Sequence, residues 1–343
     1  MQRWFRSTLK SIALLGLAVA LASSAALAQY TATLLDSNVK GHGIVDPLLV
    51  NGWGLTYAPG GAFWVADAGS GWSTLYDGSG DPQSLQVLIP SANGLYAGSP
   101  TGIVYNASQQ FLVRGSASVF LFATLDGTIQ GWSPVANPNQ SIIAVNNSSQ
   151  GSSYTGLAIT SKPSGNFIYA ADTANGKVDM YDGNFNLVKS FTDTSLPKNA
   201  TPFGIQDING SVLVAYCDAS GGPNGVIDVF TEDGVFVKHF AHGAPLNQPW
   251  GMAVAPSNFG PLSNTLLVSN NLNNTGDING FDLKTGKFVG TVTYSNGKPI
   301  YIDQIWGIMF GGGSSANGQT NQLFWAAGPA NNVDGAYGYI APQ

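Results

Sequence analysis

Short apolar runs recur along this chain, and each stops at a small polar residue. Phe63-Trp64-Val65-Ala66 ends at Asp67, Phe167-Ile168-Tyr169-Ala170-Ala171 at Asp172, Leu213-Val214-Ala215-Tyr216-Cys217 at Asp218, and Leu266-Leu267-Val268-Ser269 at Asn270. Apolar runs this short, rich in β-branched and aromatic residues and bounded by turn formers, read as strands. Further strands follow them, such as Ser73-Thr74-Leu75-Tyr76, Lys177-Val178-Asp179-Met180-Tyr181 and Val226-Ile227-Asp228-Val229-Phe230. Asp77-Gly78, Asp182-Gly183 and Asp233-Gly234 punctuate the pattern as hairpin turns do. No segment beyond residue 28 sustains a helical period, so the chain is expected to be all-β.

A second pattern sets the architecture. Six glycine-centred steps each introduce an apolar strand: Trp53-Gly54-Leu55, Thr101-Gly102-Ile103, Thr155-Gly156-Leu157, Phe203-Gly204-Ile205, Trp250-Gly251-Met252 and Trp306-Gly307-Ile308. Their glycines are 48, 54, 48, 47 and 56 residues apart, the period of propeller blades rather than of helical repeats. The first repeat holds four strands, the fourth being Leu85-Gln86-Val87-Leu88-Ile89. The sixth stops after three, at Ala336-Tyr337-Gly338-Tyr339-Ile340, while Tyr30-Thr31-Ala32-Thr33-Leu34-Leu35 is left over at the other end. The expected fold is a six-bladed β-propeller with four-stranded blades, its ring closed by the N-terminal strand pairing with the last blade so that no sheet edge stays open.

Composition adds location and excludes partners. Arg3, Arg6 and Lys10, an apolar stretch from Ile12 to Leu21, and Ala26-Leu27-Ala28 form a signal-peptide pattern over residues 1–28. The mature chain then begins at Gln29 and is expected in the periplasm or outside the cell. Without those three basic residues, 10 Lys and Arg of the original 13 face 19 Asp and Glu, a formal charge of −9. Nucleic acid and anionic lipid are poor partners for such a chain. No later stretch has the ~20 apolar residues of a membrane span. The repeat runs without a linker from 29 to 343, so one domain is expected, with no feature calling for more than a monomer. Cys217, the single cysteine, suits burial better than chemistry.

In a propeller, the loops entering the innermost strands and those following the second strands emerge on one face. That places Asn51, Trp53, Thr101, Thr155, Phe203, Trp250 and Trp306 around one mouth, with Asp67, Asp172, Asp218 and Asn270 just outside. Aromatic faces beside amides and carboxylates suit a small polar ligand, a sugar or a short peptide. The same residues also suit a packing role, aromatics filling space between blades and Asp capping loop N–H groups. No cofactor is expected, though Asp172 and Asn270 could contribute oxygens to a Ca²⁺ ion. The three histidines, His42, His239 and His242, miss every mouth position, so a His base or His-rich zinc site lacks its parts there. No Gly-x-Ser-x-Gly elbow, P-loop or dinucleotide motif occurs.

Longer strings carry a resemblance. Asn51-Gly52-Trp53-Gly54-Leu55, Ala123-Thr124-Leu125-Asp126-Gly127-Thr128-Ile129-Gln130-Gly131-Trp132, Leu246-Asn247-Gln248-Pro249-Trp250-Gly251-Met252-Ala253-Val254-Ala255-Pro256 and Ile305-Trp306-Gly307-Ile308-Met309-Phe310-Gly311 resemble an uncharacterised family of exported bacterial proteins related to NHL-repeat propellers. The resemblance covers the mature chain and implies a six-bladed propeller and export, without implying an activity. The expected function is a binding or interaction module presenting the aromatic, Asp/Asn-lined mouth. The alternative is a metal-assisted lyase or lactonase acting on a small polar substrate.

Overall fold

A glycine between two apolar residues at the start of a strand invites a bulge, and the inner strands show one six times. The computed structural model describes residues 30–162 and 165–343; the expected signal segment, 1–28, lies outside them. In every blade the pairing of the first strand with the second slips at the glycine step, for example between Gly52 and Leu55, Tyr154 and Gly156, and Pro249 and Met252. A bulge bends its strand and re-aims the flanking side chains.

The innermost strands are Gly52–Tyr57, Pro100–Tyr105, Tyr154–Lys162, Ala200–Ile208, Pro249–Val254 and Ile305–Phe310. Each begins a sheet that runs outward in chain order through three more strands in blades one to five. Each inner strand packs against the next, the sixth against the first, so the ring is closed. The glycines explain how closely. A Cβ on Gly54 would lie 2.6 Å from the carbonyl oxygen of Thr101 in blade two, and one on Gly251 would lie 2.5 Å from that of Trp306 in blade six. Only glycine lets the six strands converge at the waist of the channel.

Six apolar clusters fill the six blade-to-blade interfaces. Phe324 and Ala326 face blade one, while their neighbours Leu323, Trp325 and Ala327 face blade five. Alternate side chains of one strand thus serve two interfaces, which is why the second strands are apolar without interruption.

Blade six closes the ring as expected. Ile305–Phe310, Leu323–Ala327 and Ala336–Pro342 supply three strands, and Tyr30–Ser37 pairs antiparallel with the last, Tyr30 opposite Pro342 and Ser37 opposite Ala336. Ile44–Val45 adds a short parallel edge. The Tyr30 hydroxyl donates to the Phe259 carbonyl (2.8 Å) and accepts from the Leu262 N–H (3.1 Å), fastening the N-terminal strand to blade five as well.

Candidate functional site

The two ends of the channel differ. At the end where the inner strands begin, the bulges turn Trp53, Phe203, Trp250 and Trp306 toward the axis. Trp53 and Trp306 stack with centroids 3.4 Å apart at 15°, and Trp250 meets both edge-on at 5.9 Å. Trp53 also meets Phe203 at 6.4 Å. Blades one and four are opposite in a ring of six, so that contact crosses the axis. The three tryptophans are buried, Phe203 half-buried, and together they plug the channel.

Polar neighbours hold the plug in place. Trp250 Nε1 donates to the Thr155 carbonyl (2.9 Å) and Trp306 Nε1 to Asn51 Oδ1 (3.2 Å), while Trp53 Nε1 has no partner. Hydroxyls cross between blades: Thr101 donates to the Tyr154 carbonyl (2.7 Å), Thr155 to that of Phe203 (2.8 Å) and Ser269 to that of Trp306 (2.6 Å).

The four residues expected outside the mouth act as caps. Asp67 Oδ2 accepts from the Thr74 N–H and hydroxyl. Asp172 accepts from the N–H groups of Ser153 and Asn175 and from the Asn175 amide. Asp218 collects Asn199, Ser220 and Asn224. Asn270 accepts from the Asn247 N–H and donates to the Pro245 carbonyl and to Asp277. Their electrostatics diverge. Burial raises the Asp67 carboxyl well above the usual range, whereas donors led by the Ser220 hydroxyl hold that of Asp218 below it. Asp172 and Asn270, the pair suggested for Ca²⁺, sit on blades three and five, each engaged by its own loop.

The other end of the channel is open. Beneath the plug a void of 40 Å³ lies at the glycine waist, and beyond it a cavity of 540 Å³ forms where the inner strands end. Leu55, Ile103, Ile159, Met252, Ile308 and Met309 line its walls, with Tyr57 and Tyr105. Thr56, Gln206, Asp207 and Asn209 supply polar groups. Burial, reinforced by Glu232, raises the Asp207 carboxyl above its usual range.

None of the lining residues was singled out from sequence. In the sequence they are apolar strand residues like those of the blade interfaces, and nothing in one sequence separates a channel wall from a blade interface. A second group also escaped notice: Asp193, Asp228 and His239 gather at the outer rim of blade four, each offering a ligand atom within 4.8 Å of the others.

No family model matches the chain. Uncharacterized protein R648 of Acanthamoeba polyphaga mimivirus is 30% identical over 318 residues, covering 86% of this chain and 76% of R648. Its companion L690 is 32% identical over 288 residues, covering 77% of this chain and 74% of L690. A third mimivirus protein, R640, is 34% identical over 229 residues, and the match spans only 42% of its length. These relatives are viral, where the sequence resemblance pointed to exported bacterial proteins, and they support no NHL kinship in particular. Among solved structures, a streptogramin B lyase superimposes with a TM-score of 0.55 over 93% of this chain and 100% of that one, at 13% identity. The hydrazine synthase of Kuenenia stuttgartiensis gives 0.54 over 84% and 77%, also at 13%. Such likeness is one of fold. The chain belongs to the family of R648 and L690.

Proposed function

We propose that this member of the R648 and L690 family is a non-catalytic binding module whose ligand enters the channel at the end opposite the tryptophan plug. One observation carries the reading: the chain's own aromatics occupy one end, and the other keeps a 540 Å³ cavity, within the size range of small-molecule and peptide-side-chain sites. Isoleucine and methionine walls favour an apolar body, and two methionines let the wall adapt to its shape. Gln206, Asp207 and Asn209 offer donors and acceptors on one arc, so a short peptide with an apolar side chain fits both halves of the lining. Export supports an extracellular or periplasmic site of action, on the strength of the Ala26-Leu27-Ala28 pattern. Intact mass of the exported protein checks it, a chain beginning at Gln29 being the expected product.

Binding is tested by calorimetric titration of purified protein with a panel of short apolar peptides. Gln206 is exposed within the channel, so Gln206→Trp should block the cavity without disturbing the fold. Loss of binding at unchanged melting temperature supports the site. Retained binding in Gln206→Trp, or turnover of a lactone or streptogramin substrate by the wild type, would replace it with another.

A further inference from the structure

Blade four brings three ligating side chains together at its outer rim, away from the channel. Asp228 lies on the third strand, Val226–Thr231, directly opposite His239 on the outermost strand, Phe236–His242. Asp193 comes from the link between Leu187–Phe191 of blade three and Ala200–Ile208 of blade four. That link is pinned: the Asp193 N–H donates to the Tyr216 hydroxyl (3.2 Å), and Asp193 Oδ1 accepts from the Ser195 N–H (2.7 Å). Asp193 Oδ2 is thereby aimed at the pair.

His239 Nδ1 stands 2.8 Å from Asp228 Oδ1 and 3.5 Å from Asp193 Oδ2. A single Nδ1 proton serves one of these carboxylates, and Asp228 already takes it. The remaining oxygens, Asp228 Oδ2 and Asp193 Oδ2, have no hydrogen-bond partner, though their side chains are only 0% and 6% exposed. Unpaired buried carboxylate oxygens are costly, and a cation bound between them satisfies both together.

We propose that Asp193, Asp228 and His239 form a binding site for a divalent transition-metal ion of the zinc type. Two carboxylates and a neutral imidazole are a donor set that zinc accepts, whereas Ca²⁺ takes oxygens alone. Tetrahedral zinc at bond lengths near 2.0–2.2 Å separates neighbouring ligand atoms by about 3.4 Å. His239 Nδ1 and Asp193 Oδ2 stand 3.5 Å apart, near that value, and Asp228 Oδ1, now at the hydrogen-bond distance of 2.8 Å from Nδ1, draws back as the metal displaces the Nδ1 proton. The His239 side chain is 43% exposed, which gives the ion an entry and leaves room for water as fourth ligand. The Phe236 ring lies edge-on to the imidazole at 5.1 Å and restrains its orientation. Binding displaces the proton from Nδ1, the ring staying neutral with its one N–H on Nε2, and joins the inter-blade link to the edge of blade four, a stabilising role independent of the channel.

The test uses the full chain, treated with chelator, dialysed and titrated with Zn²⁺ alone by calorimetry, with melting temperature read in parallel. One equivalent should bind and raise the melting temperature of the wild type. Asp228→Asn and His239→Ala should each lose both effects, while His42→Ala and His242→Ala keep them. Asp228→Asn removes a buried charge, so its fold is expected to survive. Co²⁺ provides a second readout, with a visible ligand-field band that His239→Ala abolishes. A wild type that takes up no stoichiometric Zn²⁺, or a His239→Ala variant that binds it undiminished, overturns the site and leaves Asp228 and His239 as a simple hydrogen-bonded pair.

Discussion

The same six strands build both ends of the channel, yet one end is a core and the other a cavity. Where the strands start, bulged glycine steps aim large aromatics inward, and Trp53 reaches Phe203 across the axis. Where they end, the walls are mostly aliphatic and thioether side chains, and the tyrosines among them, Tyr57 and Tyr105, do not close the channel, so 540 Å³ remains. The lesson concerns side-chain reach: strand spacing is set by the backbone, and whether a channel is filled depends on what the residues at each level can span.

The contrast can be broken most severely at the plug. Trp306 is 3% exposed and stacked on Trp53, so Trp306→Ala should lose about 3–5 kcal/mol of stability in denaturant unfolding, as large-to-small core changes do. If ligand binding at the far end survives the loss, the two ends are energetically separate.

At the waist, Gly251→Ala forces a methyl against the Trp306 backbone and the Ser269 hydroxyl. A cost of about 1–3 kcal/mol is expected, typical of overpacking. A neutral result would mean that the inner strands can slide apart. Ser269→Ala removes the hydroxyl that donates to the Trp306 carbonyl and accepts from the Gly251 N–H, for about 1–2 kcal/mol.

Acidity offers a further probe of the plugged face, because two of its carboxylates have their pKa values shifted in opposite directions. Asp67 has its folded pKa raised. Its contribution is present below the usual carboxylate value and is lost as pH rises above it, since the unfolded chain ionises first. Asp218 has its folded pKa lowered, so its contribution is present above the usual value and is lost as pH falls toward the folded one. Melting temperature against pH should therefore flatten at its alkaline side in Asp67→Asn and at its acid side in Asp218→Asn. Parallel profiles for both variants would contradict the assignment.

The smallest stability effect belongs to the open end. Gln206→Ala should change unfolding by no more than about 0.5 kcal/mol, as exposed positions do, while weakening peptide binding. A large destabilisation there would show that the wall of the cavity is itself core.

Blade number, strand order and closure by the N-terminal strand were legible in one sequence. They follow from local signals: turn residues, apolar runs, and a glycine wherever the inner strand bulges against its neighbour. Trp53, Trp250 and Trp306, grouped by their shared place before the inner-strand glycine, do meet at one end of the channel. What those residues do was not legible, because the distance between Trp53 and Phe203 depends on a ring closed over about 150 residues of intervening chain. Tertiary structure alone decided that the tryptophans stack on one another, that Asp67, Asp172, Asp218 and Asn270 spend their hydrogen bonds on nearby strands and loops, and that the free volume lies at the opposite end. It alone also brought Asp193 to Asp228 and His239. Periodicity reports which way a side chain points from its own strand; whether it meets a partner depends on strands far away in sequence, and that is a property of the closed ring.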